Sequence, residues 1–161
     1  MLNRKTLRML VIVAATAIVV GLVAITPAAG HVSPTSALLL GGIAAFPSYF
    51  AILYRAKTKL DDSLDVVAAH GVGGTVGALL TGVFAEKSLN GVFDGLIAGN
   101  PGQVGIQALA VGTAIVYSGV VSFILLKIIG LFLPLRVTQS DEATGLDVTM
   151  HGEEAYLHGG E

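Results

Sequence analysis

The stretch VVAAHGVGGTVGALLTGVFA, residues 66–85, decides how the rest of the chain is read. Its only ionisable side chain is His70, set among apolar and small residues. A helix needs about 20 predominantly apolar residues to cross the hydrocarbon core of a bilayer, and this stretch is long enough. Three further runs of the same kind lie outward from it. One covers residues 7–25 and stops at Pro27 and Gly30; a second covers 37–54, with Pro47 expected to kink it. The last covers 104–133 and carries on past Lys127, longer than an upright span needs, so tilt or protrusion is expected. The expected fold is all-α: a polytopic membrane protein with four transmembrane helices in residues 1–135 and a polar tail over 136–161.

Composition supports that reading and excludes others. Of 161 residues, 53% are apolar and 12% charged, about half the charged share of a soluble domain. The formal charge of -2 offers no electrostatic footprint for nucleic acid, so DNA and RNA are excluded as partners. The absence of Cys removes disulfides, thiolate metal sites and cysteine nucleophiles. Gly supplies 21 residues, about twice the ordinary frequency, which suits close approach of helix backbones in lipid.

The distribution of positive charge orients the spans, because cytoplasmic connections retain Lys and Arg. Arg4, Lys5 and Arg8 precede the first run; Arg55, Lys57 and Lys59 lie between the second and third; Lys127 and Arg136 flank the end of the fourth. The connections 27–36 and 86–103 carry only Lys87. Eight of the nine positive residues thus fall on one side, which predicts a cell-membrane protein with both termini cytoplasmic. A basic start, an apolar stretch and the small residues Ala28, Ala29 and Gly30 also describe a cleaved secretory signal, but three more spans follow.

His70 is the first candidate for chemistry. An ionisable group at membrane depth is costly and usually faces a bundle interior or a pathway. The ring is expected to be buried and neutral, one nitrogen donating and the other accepting; the competing reading is a packing histidine bonded to a neighbouring helix. Asp61, Asp62 and Ser63 are placed to cap the helix start, where negative charge suits the dipole. Asp65, deeper, is expected to order that start through buried hydrogen bonds. Gly73, Gly74 and Gly77 follow His70 and are expected to serve tight helix packing, with the Gly73/Gly77 spacing as its signature. No Lys-Ser/Thr pair of a phosphate loop follows these glycines, and His31, His151 and His158 lack zinc-site spacing. No Ser/His/Asp constellation can be argued, so no enzyme activity, cofactor or metal is expected. By composition alone the tail reads as frayed.

Four motifs together resemble the ammonium transporter family: GLVAITPAAG (21–30), DDSLDVVAAHGVGG (61–74), LTGVFA (80–85) and GLDVTMHGEEAY (145–156). The resemblance runs from Gly21 to Tyr156 and leaves residues 1 to about 15 without a counterpart. It implies ammonium or ammonia as substrate and a place among the last four of about eleven spans. It also implies a homotrimer of separate pores. His70 then matches the second of two pore histidines, and Asp65 supports the pore helix. The tail residues Gly145, Asp147, Gly152 and Glu153 pack on the cytoplasmic face, where PII-type signalling proteins dock. Val67, Ala68 and Ala69 stand where Phe-Gly-Val is commoner, and Met150 where Glu is usual. The resemblance further implies that the first pore histidine, the Phe gate and the outer cation site belong to spans absent here. Two readings follow: a transport segment that needs complementary spans, or a non-transporting orphan membrane fragment whose tail binds a PII-type regulator.

Overall fold

Each apolar run becomes a helix whose ends are set by local chemistry. The computed structural model describes residues 3–62 and 64–154, without the side chains of residues 5, 6 and 8–13. Ser63, one of the expected caps, lies outside the described residues, as do Tyr156 and His158. Contacts divide the chain into two units, residues 1–115 and 116–161. Among the described residues every regular element is helical, and no strand occurs.

In the first unit, α1 (Arg4–Ile25) runs into one 3-10 turn (Thr26–Ala28) with Pro27 inside it, and the chain reverses through Gly30 at φ +78°. The next helix, α2 (Pro34–Arg55), has Ser33 as its N-cap, with the side chain accepting from the Ser36 N–H, and Pro34 in its first turn. It starts three residues earlier than the apolar run suggested, because the cap and proline are polar or neutral residues that hydropathy ignores. The helix continues through Pro47, whose missing N–H leaves the Ile43 carbonyl without its usual i+4 donor. A π-helix (Val67–Val72) then leads directly into α3 (Gly73–Phe84).

The connection after α3 is tightly folded. It holds the short α4 (Lys87–Asn90), and Asn90 fixes the turn that follows: its Nδ2 donates to the Glu86 and Phe93 carbonyls and its Oδ1 accepts from the Val92 and Phe93 N–H groups. The chain then folds back on the end of α3 through Gly95 N–H to Ala85 O, Leu96 N–H to Gly82 O and Ile97 N–H to Val83 O. His31, from the turn after α1, stacks on Phe93 at 5.5 Å, and its carbonyl accepts from the Glu86 N–H.

The core is small and made of small side chains: Val20, Ala24 and Ala28 meet Leu40 and Ala44 of α2 and Ala69 of the π-helix. In a bilayer this is how helices gain contact, since lipid supplies no hydrophobic drive for them to associate. The closest approach is between α1 and α3. A Cβ built on Gly77 would lie 2.7 Å from the Ala24 Cα, and one on Gly73 would lie 3.2 Å from Val20 Cγ1. Gly74 is different, with only an ordinary contact of 3.7 Å to Val23 Cγ1.

α5 (Gly102–Ile129) runs across the division between the units, and Gln103 is its only buried residue. Three helical stretches among the described residues are long and apolar enough to cross a membrane: Pro34–Arg55, Val67–Phe84 and Gly102–Ile129. A shorter apolar stretch, Ala14–Ala28, covers the end of α1. The expected run to residue 133 is corrected, for the helix ends at Ile129: Gly130 and a turn follow, ahead of Pro134.

In the second unit the tail is not frayed throughout, contrary to the composition-based expectation. Thr138 caps the six-residue α6 (Gln139–Thr144) by accepting from the Asp141 N–H, and Arg136 pairs with Glu142 at 3.0 Å. A π-turn over Asp147–His151 ends at Gly152, φ +68°. Local caps that whole-segment composition averages away hold these turns.

Candidate functional site

His70 is the fourth residue of the π-helix, and its surroundings follow from how that segment is fastened. The Asp62 carboxylate accepts from two consecutive N–H groups, Val66 and Val67, both at 2.9 Å, so it caps the start of the segment. Asp65 is the one non-glycine residue at positive φ among the described residues, at +54°. Its carbonyl accepts from the Ala69 N–H at 2.8 Å. Its Oδ1 accepts from both Nε and Nη2 of Arg55, at 2.8 and 2.6 Å.

That pair names the partner of the Asp65 carboxylate, which the expectation of a helix-ordering role left open. The side chain is 27% exposed and its partner is the last residue of α2, so the bond joins two elements. The reason is geometric: the turn after α2 brings Arg55 beside the start of the next span. Sequence spacing alone gave no reason to choose Arg55 over Lys57 or Lys59.

The π-helix buries Ala68 and Ala69 against the bundle and leaves His70 on the other side. There the imidazole lines an open groove with Val19, Leu22, Val23, Thr26, Pro27 and Gly74. The lining is apolar apart from Thr26, and the Thr26 hydroxyl is already donated to the Leu22 carbonyl at 2.8 Å. The expectation of a buried histidine is therefore corrected for this chain: the lining is apolar, but the ring is exposed. The small side chains that close the helix interface leave no bulk to cover the opposite face. Thr26 and Pro27 were not among the expected site residues; their sequence signal is the Thr-Pro break that ends the first apolar run.

Of the three glycines expected to pack helices together, Gly73 and Gly77 carry the α1 contact, while Gly74 makes only an ordinary contact and lines the groove. In the second unit, Gly145 adopts φ +110° and a Cβ there would fall 2.7 Å from the Asp147 carboxylate. The Glu153 N–H donates to the Asp147 carbonyl, and Gly152 terminates that turn in the left-handed region. These four residues form one local knot in the tail, within their own unit.

Apolar helices with small-residue seams and one imidazole on an apolar groove define a helical membrane protein. Comparison narrows the class: the model of the Ammonium Transporter Family matches residues 1–156, and the chain belongs to that family. The match begins at residue 1, so the expectation that residues 1–15 lack a counterpart is corrected. An ammonium transporter of Bacillus subtilis is 43% identical over 140 residues, which cover 86% of this chain and 35% of that protein. One from Aquifex aeolicus is 46% identical, covering 86% and 33%. The crystal structure of Saccharomyces cerevisiae Mep2 superposes with a TM-score of 0.70 at 32% identity, covering 78% of this chain and 30% of that one. The chain thus spans about a third of the length of these relatives, which are transporters rather than enzymes.

Proposed function

We propose that this chain takes part in moving ammonium or ammonia across the cell membrane, with His70 as a pore imidazole. The observation that carries the proposal is the groove: a single titratable ring set into an apolar wall, on a segment distorted from the α-helix. Desolvating a bare cation costs tens of kcal/mol by Born reckoning, whereas neutral ammonia needs only hydrogen-bond partners. An apolar passage with an imidazole therefore favours the neutral species, and the ring supplies one donor and one acceptor along the way. A single open wall cannot exclude water, so the groove works only once another segment closes it. Asp65 supports this pore helix from its cytoplasmic end. The four-span arrangement, with α1 counted as a span beside α2, the π-helix–α3 segment and α5, rests on the four apolar runs, and the cytoplasmic placement of both termini on the one-sided Lys and Arg residues.

The test is co-expression with the complementary spans of a relative, followed by flux measurement in proteoliposomes. Uptake is expected to appear with the pair, and His70→Ala to alter its rate or its coupling to charge. Identical flux from wild type and His70→Ala in an active assembly would remove His70 from the pore.

A further inference from the structure

The π-helix between Arg55 and Gly77 has no explanation in residue preference, since π-turns are rare and occur mostly as single distortions near functional sites. Here the π pattern covers six residues, Val67–Val72, with His70 inside. A π-turn accommodates one residue more than an α-turn, so residues on one side of it are rotated by about 100° from where an unbroken α-helix would place them. Something must hold both ends against relaxation. On the α3 side, the Gly77 backbone sits on the Ala24 backbone so closely that the helix cannot rotate there without a clash. On the other side, Asp65 holds a left-handed backbone that costs a non-glycine residue free energy. Its carboxylate is gripped by two N–H groups of Arg55 through one oxygen, Oδ1. Both partners are about three-quarters buried, at 26% and 27% exposure, where a two-point guanidinium bond restricts direction as well as distance.

We infer that Arg55 is a positioning residue for His70: its ion pair with Asp65 fixes one end of the π-helix and thereby the direction in which the imidazole points. The inference rests on the pore reading for its importance but not for its test. Loss of the pair lets residues 66–69 turn toward an α-helical register while α3 stays pinned, and His70, at the junction, swings relative to Val19 and Thr26. Arg55→Lys keeps the charge but offers no planar fork, so it restores part of the effect only.

The experiment uses the full chain in lipid nanodiscs and two readouts that need no transport. Amide hydrogen exchange is followed residue by residue, and the histidines are modified with diethyl pyrocarbonate and quantified by peptide mass spectrometry. His31, stacked on Phe93 of the connection after α3, serves as the internal reference. For Arg55→Gln, exchange within 66–72 is expected to rise at least tenfold, and His70 modification to change at least threefold against His31, while α3 and the connection after it keep their protection. Asp65→Asn, which tolerates the same backbone, is expected to give the same result, and the double variant no more than either single. Unchanged exchange and reactivity at 66–72, or uniform loosening of residues 14–115, or additive effects in the double variant, each overturn the inference. Failure of His70→Ala to alter flux would remove the pore reading and leave these readouts intact, so the two failures are distinguishable.

Discussion

At the scale of single residues, the segment that carries His70 is governed by three acidic or basic groups with separate duties. Asp62 caps, Asp65 bends the chain into the left-handed region, and Arg55 holds the bend. Asp62→Ala leaves the Val66 and Val67 N–H groups without their carboxylate, and loss of a cap of this kind costs about 1 kcal/mol. The expected outcome is a lower unfolding midpoint in detergent with faster exchange confined to the first turn; an unchanged midpoint would show that water replaces the carboxylate at no cost. His70 was legible from sequence because a lone titratable group in an apolar run has an obvious solvation cost. The π-helix was not, because nothing in VVAAHGV distinguishes i+5 from i+4 pairing. The bend that stabilises it comes from a side chain ten residues away.

At the scale of elements, the glycines near His70 look alike in sequence and differ in the packed bundle. Gly77 meets the Ala24 backbone, so a methyl group there forces α1 and α3 apart; overpacking of this kind costs about 1–3 kcal/mol. Gly74 has only an ordinary neighbour, and replacing a helical glycine by Ala at a compatible site stabilises by about 0.4–1 kcal/mol through the unfolded state. Thermal unfolding in detergent is therefore expected to move down for Gly77→Ala and up for Gly74→Ala. Equal shifts of the same sign would contradict the close approach. The small-residue spacing was readable as a packing signal, but its target was not: Gly73 and Gly77 face α1 of the same chain. Helix ends show the same division. Ser33 and Pro34 set the start of α2 by capping chemistry, whereas the apolar character of the fourth run extends to residue 133 through Leu131, Phe132 and Leu133 although the helix stops at Ile129 before the Gly130 turn.

At the scale of the whole molecule, the large apolar side chains point outward: Leu38, Phe46, Leu109 and Ile115 are 80%, 69%, 73% and 61% exposed. Such a surface is stable only against lipid or further protein, and the share of the relatives that this chain spans leaves room for both. The proposed orientation rests on charge alone, and the lack of cysteine makes it measurable without removing any native thiol. Ser88→Cys places one thiol in the connection after α3, on α4, and Leu60→Cys places one in the basic connection before the π-helix; both positions are exposed. If the side that carries eight of the nine positive residues is cytoplasmic, as proposed, a membrane-impermeant maleimide applied to intact cells is expected to label Ser88→Cys and to reach Leu60→Cys only after permeabilisation. The reverse pattern would invert every span at once and put the Arg55–Asp65 pair on the outer face. Labelling of both sites in intact cells would mean that the chain inserts in two orientations. A groove built on His70 would then face opposite directions in the two populations and could not form one directed pathway.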